Sequence, residues 1–132
     1  VIDRLAIDTN AVVDYLRLDR DYPPQLDEAK EVLVPLTVIG ELFYGAARSD
    51  RPEHHRSSIG RVIKRWPPLI PDVETASVYG KIRAEASRTP SSLSASKVND
   101  FWIAALCIQH KLPLLTNDGG FDNIRGLTVI HW

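Results

Sequence analysis

Short apolar runs alternate with helix-patterned segments from one end of this 132-residue chain to the other. No other feature constrains the fold as strongly, because strands separated by helical crossovers lie parallel in one sheet with helices on its faces. Arg4 to Ile7 reads as a first strand ending on Asp8, and Thr9 or Asn10 caps a helix with the apolar stripe Val12, Val13 and Leu16. Pro23-Pro24 forces a break, Gln25 to Glu31 fits a short helix, and Val32 to Pro35 reads as a buried strand. Thr37 stands where it can cap the next helix, around Glu41. Pro52 suits the first position of another, whose Ile59, Val62, Ile63 and Trp66 share one face. Pro67-Pro68 stops that helix, Leu69-Ile70 is a short strand, and Asp72 caps a helix carrying Val73, Ala76, Tyr79 and Ile82. Thr89 to Ser96 is rich in Pro and Ser and is expected to be a mobile loop. Val98 to His110 is apolar on nearly every side, as a central buried helix would be. Leu114 to Thr116 reads as a strand, Asn117 to Gly120 as a turn, and Leu127 to His131 as a final strand.

Residues 1–132 are expected to form a single domain, since the length suits one and no linker or repeat divides it. Sixteen basic against seventeen acidic residues leave a formal charge of −1, which excludes a polybasic tail or an acidic disordered segment. A single cysteine, Cys107, excludes an internal disulfide and a multi-cysteine zinc site, and its apolar helix predicts a buried, inert thiol. No apolar run approaches the ~20 residues of a membrane span, and no signal peptide heads the sequence. A cytoplasmic setting is therefore expected.

In an open parallel sheet, ligands gather at the carboxyl ends of the strands. Asp8 ends the first strand and Asp118 follows the Leu114 to Thr116 strand by two residues, so both belong to that edge. Glu41 and Asp100 are acids embedded in apolar helix sequence, Val38-Ile39-Gly40 and Leu42-Phe43-Tyr44 around the first, Phe101-Trp102-Ile103-Ala104-Ala105 after the second. Burying such charges costs stability unless they are paired. A divalent cation would pair them, because Mg²⁺ and Mn²⁺ take oxygen ligands. Without one, carboxylates about 5 Å apart repel by roughly 3 kcal/mol per pair at an effective dielectric of about 20. A metal held by such acids activates water and stabilises charge on a phosphate. Thr9, Asn10, Asn99, Thr116 and Asn117 stand beside the acids and suit the orientation of carboxylates or water. Each acid has a plainer role open to it: Asp8 and Asp100 as helix caps, Asp118 as a turn residue, Glu41 on a solvated face. The joint pattern favours the metal.

Taken in order, Ile7-Asp8-Thr9-Asn10, Ile39-Gly40-Glu41-Leu42 with Tyr44-Gly45, Asn99-Asp100-Phe101-Trp102-Ile103-Ala104-Ala105, and Leu115-Thr116-Asn117-Asp118 with Phe121 resemble the motifs of PIN domains. Within these the sequence is most similar to VapC-type toxins of bacterial toxin–antitoxin pairs, over essentially its whole length. The resemblance implies a three-layer α/β/α fold around a parallel sheet of about five strands. It implies a Mg²⁺- or Mn²⁺-dependent endoribonuclease that hydrolyses RNA phosphodiester bonds with a metal-activated water. The family's four acids fall on Asp8, Glu41, Asp100 and Asp118: Asp8, Asp100 and Asp118 as metal ligands, Glu41 as a ligand or as the orienter of the attacking water. Asp122 is implied as an assisting acid, and Thr116 as the hydroxyl beside the metal or water. A homodimer and a VapB-type antitoxin that blocks the acidic pocket are implied as partners. The sequence departs from the family in one place, Leu93-Ser94-Ala95-Ser96-Lys97-Val98, where many relatives have a Gly-containing turn with Ile-Pro.

From Arg48 to Trp66 six bases (Arg48, Arg51, Arg56, Arg61, Lys64, Arg65) face only Asp50 and Glu53, whereas residues 1–41 carry nine acids against four bases. Such a segment is either a phosphate-holding patch for RNA, with Arg61 and Arg65 on one face, or a solvated helix. His54, His55, His110 and His131 read as structural or surface residues, and Trp66, Trp102 and Trp132 as core or interface. No phosphate-binding Gly-rich loop is present. A phospho-acceptor Asp domain would want a second acid on the same edge as Asp8 and a Lys after a late strand, and neither is clear. A PIN-like module that binds RNA or protein without cutting is the remaining alternative. The intact acids argue against it.

Overall fold

A computed structural model describes residues 2–17, 22–88 and 97–132. The element order is β1 (Arg4–Ile7), α1 (Thr9–Arg17), α2 (Gln25–Glu28), β2 (Glu31–Pro35), α3 (Leu36–Ala47), α4 (Pro52–Arg65), β3 (Pro68–Leu69), α5 (Val73–Ala86), α6 (Val98–His110), β4 (Leu114–Leu115) and β5 (Val129–Ile130). The five strands form one sheet in the order β3-β2-β1-β4-β5, and every pairing is parallel. Helices flank it, giving the three-layer arrangement expected from the sequence. The Pro/Ser-rich stretch Thr89 to Ser96, with most of the departure from the family pattern, lies outside the described residues.

Two-sided burial explains the strand sequences. Leu5, Ala6 and Ile7 are fully buried in β1, as are Leu114 and Leu115 in β4, so alternating polarity has no place in them. Ala6 pairs with both Leu33 and Leu114, which puts β1 at the centre. From β1 the chain builds outward through β2 to β3, then crosses to the other side of β1 for β4 and β5. The direction of growth therefore reverses between β1 and β4. Crevices at such a reversal are where open α/β sheets hold ligands.

α6 is the buried helix expected from its composition, with Phe101 and Ile103 to Cys107 all buried. It ends on Lys111, whose φ of 55° lies in the left-handed region, and the Leu112 N–H reaches back to the Cys107 carbonyl at 2.9 Å. α5 opens as predicted on a capping box. The Asp72 carboxylate accepts from Thr75 N–H at 3.0 Å and the Thr75 hydroxyl accepts from Asp72 N–H at 2.9 Å. Pro52 opens α4, and Ile59, Val62 and Trp66 turn inward from it, with Ile63 only partly buried.

Several local expectations need correction. Thr9 is the first residue of α1 instead of its cap, because the Asp8 carboxylate accepts its N–H at 2.8 Å and leaves Thr9's hydroxyl free for another partner. Thr37 does not cap α3: the helix begins at Leu36 straight after Pro35, and the Thr37 hydroxyl is buried without a hydrogen bond. α2 stops at Glu28 instead of reaching Glu31, since Ala29 turns extended and Glu31 enters the sheet opposite Arg4. The third strand is Pro68–Leu69, and Ile70 is 56% exposed.

Candidate functional site

Asp8 is set at the point where the sheet reverses direction, 6% exposed. Its N–H extends the ladder by donating to the Leu115 carbonyl at 3.1 Å, which fixes its side chain between β1 and β4. One carboxylate oxygen accepts from Thr9 N–H at 2.8 Å and the other from the Thr116 hydroxyl at 2.7 Å. Burial nevertheless pushes its pKa up, with the nearby charges of Glu41 and Asp118 adding to the rise against those hydrogen bonds.

Thr116 ties the two strand ends together. While its hydroxyl donates to Asp8, the oxygen accepts from Asp118 N–H at 3.0 Å and lies 3.4 Å from the Asn10 amide nitrogen. Asp118 in turn caps a short 3-10 turn over Gly119–Phe121 by accepting from Gly120 N–H at 2.9 Å. Its second oxygen lies 3.5 Å from the Lys97 ammonium. Glu41 reaches the site from α3, where it accepts the Thr9 hydroxyl. Asp100, in the first turn of α6, is pushed up to about 6 by burial and by the charges of Asp8, Glu41 and Asp118, with Lys97 opposing them.

The four predicted acids are therefore brought to one end of the sheet, with the charges of the other three raising Asp100 and those of Glu41 and Asp118 raising Asp8. Thr9, Asn10 and Thr116 bind there, while Asn99 is exposed beside Glu41 and Asp100. Among the described residues no three acidic, His or Cys side chains enclose a ready-made ion cage. Mg²⁺ needs only one or two carboxylates while keeping several waters. The donor set fits such a hard cation: every side-chain ligand offered is oxygen, two carboxylates are held against their ionised form, and the Asn10 carbonyl oxygen is buried with no hydrogen-bond partner.

The family model for the PIN domain matches residues 5–127. The chain belongs to the PIN domain family. A curated relative, Ribonuclease VapC4 of Mycobacterium tuberculosis, is 29% identical over 103 residues, covering 74% of each chain. Among solved structures, VapBC2 from Rickettsia felis bound to a promoter DNA fragment superimposes with a TM-score of 0.86 at 22% identity, covering 98% of both chains. DNA-bound VapBC from Salmonella typhimurium gives 0.83 at 25% identity, covering 100% of this chain and 99% of that one.

Two residues of this PIN domain have partners that the sequence reading did not name. His131 was expected to be merely structural or surface. Its Nε2 lies 2.8 Å from an Asp122 carboxylate oxygen and its Nδ1 contacts the Thr116 carbonyl. Both partners are acceptors, and the ring's pKa is raised chiefly by the Asp122 hydrogen bond. Trp132 N–H adds a 3.2 Å bond to the Asn117 side chain. The last two residues thus clip the loop that carries Asp118. Asp122 meets this clip instead of the four acids. The signal was the β4–β5 register: with Leu115 opposite Ile130, Thr116 falls opposite His131. The second residue is Lys97, three positions before Asp100.

The basic segment spans two places. His54, His55, Ser58 and Ile59 of α4 face a groove that runs from Thr9 and Glu41 along α1 and α3. Arg65, at the far end of α4, covers the rings of Tyr15 and Trp66 at 5.3 and 5.5 Å and borders a hollow at the start of β2, on the amino edge of the sheet. Arg48, Arg51, Arg61 and Lys64 are exposed. Cys107 is buried as expected, and burial pushes its thiol well above the usual range. Among the described residues no helix is long and apolar enough to cross a membrane.

Proposed function

We propose that this PIN domain is a Mg²⁺- or Mn²⁺-dependent endoribonuclease of the VapC kind, the toxin half of a toxin–antitoxin pair acting in the cytoplasm. The observation that carries this reading is the convergence of acids at the carboxyl edge of the sheet, where Thr116 joins Asp8 to the Asp118 turn, Thr9 joins Asp8 to Glu41, and Lys97 at the start of α6, three residues before Asp100, reaches Asp118. The names of its relatives, Ribonuclease VapC4 and VapBC, support it. A VapB-type antitoxin and a second copy of the chain are the proposed protein partners, and residues 1–132 the proposed single domain.

Asp8, Asp100 and Asp118 would hold the metal, with Glu41 as a further ligand or as the group that orients the attacking water. When bound, the ion supplies neutralisation of phosphate charge and activation of water. The protein's own residues prepare for it. Thr116 fixes the direction of the Asp8 carboxylate and the start of the Asp118 turn through one hydroxyl, and Thr9 aims Glu41. Burial and the neighbouring charges raise the pKa values of Asp8 and Asp100, so metal entry and deprotonation would be linked at those two groups. Arg48, Arg51, Arg61, Lys64 and Arg65 are proposed as phosphate contacts along the RNA, with Arg65 the most distant from the acids.

Purified Asp8→Asn is expected to lose RNA cleavage in Mg²⁺ or Mn²⁺ while keeping the parent's circular dichroism spectrum. Cleavage at the parent's rate by that variant would remove the catalytic reading and leave a PIN module that binds without cutting.

A further inference from the structure

Lys97 is the N-cap residue of α6, and its side chain makes no capping hydrogen bond there. Its ammonium lies 3.5 Å from Asp118 Oδ2, with Lys97 48% and Asp118 33% exposed. It borders the same cleft as Glu41, Asn99 and Asp100. Among the described residues it is the one Lys or Arg ion-paired with any of the four acids.

We propose that Lys97 is a cation with two positions: counter-ion of Asp118 while the acids are metal-free, and phosphate-binding residue on the cleft rim once a divalent ion takes its place. This rests on the nuclease reading. Two physical facts support the exchange. A half-exposed ion pair is worth little and is easily broken. A lysine carries its charge on a flexible four-carbon stem with three donors, so it can swing to a new partner without rearranging the backbone. A dication beside Asp118 repels the ammonium, and a phosphodiester entering the cleft is the nearest new anion. Lys97 would then offset the repulsion between RNA and an acidic mouth.

The test measures Mn²⁺ binding by calorimetry on the full chain, for the parent, Lys97→Ala and Lys97→Arg. Lys97→Ala is expected to bind Mn²⁺ about two- to fivefold more tightly, because a competitor has gone, and Lys97→Arg to match the parent. A purely structural Lys97 that holds Asp118 in place predicts the reverse, weaker binding in Lys97→Ala. The second arm follows a fluorescent single-stranded RNA of mixed sequence by anisotropy, in Mn²⁺ and in the slow-cutting Glu41→Gln background. There Lys97→Ala should flatten the dependence of log affinity on log salt by about 0.7, the value of one phosphate contact. Unchanged or weakened Mn²⁺ binding in Lys97→Ala, or an unchanged salt slope, overturns the proposal. Should the parent bind Mn²⁺ and Asp8→Asn lose it while Lys97→Ala equals the parent, only the role of Lys97 falls. Should the parent bind no Mn²⁺, the metal-dependent nuclease reading falls with it.

Discussion

Asp72 and Asp100 stand at the starts of consecutive helices that pack against each other, and their carboxylates are treated in opposite ways. At Asp72 the acid is solvated and fully engaged: Thr75 N–H donates at 3.0 Å and the Gln109 amide of α6 at 2.9 Å, which holds its pKa below the ordinary value. Asp100 is partly buried, faces three other acids and is pushed up to about 6. The first carboxylate is finished by the protein alone. The second is left in want of a cation. On the proposed reading, stability and function are separated onto two neighbouring helix ends with the same residue type.

The comparison breaks most sharply at Asp100. Asp100→Asn is expected to lower cleavage of RNA by at least about 100-fold, in line with the loss of a charged group that acts in phosphoryl transfer. The same change should raise the melting temperature of the metal-free protein, since a repelled carboxylate has been neutralised; a lower one in EDTA would contradict the unpaired state assigned to Asp100. Asp72→Ala should do the opposite, lowering the melting temperature by a few degrees through loss of the capping box while kcat in saturating metal stays near the parent's.

A pH series sharpens the contrast. Asp72 has a depressed pKa when folded, so its contribution is present above the ordinary carboxylate value of about 4 and fades as pH falls through that range. The deficit of Asp72→Ala in a urea titration should therefore shrink below about pH 4. Asp100 has a raised pKa when folded, so the favourable protonated form is lost as pH rises through about 6. The advantage of Asp100→Asn should be absent near pH 3 to 4 and grow to its full size above about pH 6. Parallel curves for the two variants would erase the distinction. The smallest effect is expected from charges outside both helix ends. Arg61→Glu with Arg65→Glu should weaken RNA binding several-fold and flatten its salt dependence, with Arg61 contributing more because Arg65 lies on the amino edge. An unchanged salt slope would leave the pair as ordinary surface.

How far the sequence discloses this molecule depends on whether the governing interaction is local. β1, the Pro52 start of α4, the Asp72 cap and the buried α6 all declare themselves in adjacent residues: an apolar run, a proline, an Asp-x-x-Thr box, an all-round apolar helix. Thr37 misleads because Pro35 lets the helix begin directly from the strand, so the hydroxyl meets no orphan N–H. The four acids are recognisable by their order and setting, yet their mutual influence comes from sheet order, which no single segment encodes. His131 and Lys97 belong to the same class. One acquires its role from the register of β5 on β4, the other from the approach of the α6 start to the turn after β4.

The pairing of β1 with β4 joins Asp8 to Thr116 across 108 positions of sequence. During synthesis, a ribosome that has released Asp8, Glu41 and even Asp100 has still not supplied the strand against which Asp8 is fixed. Contacts this distant are also slow to close. A chain that stops short of β4 therefore carries Asp8, Glu41 and Asp100 without the strand that holds Asp8 against Thr116.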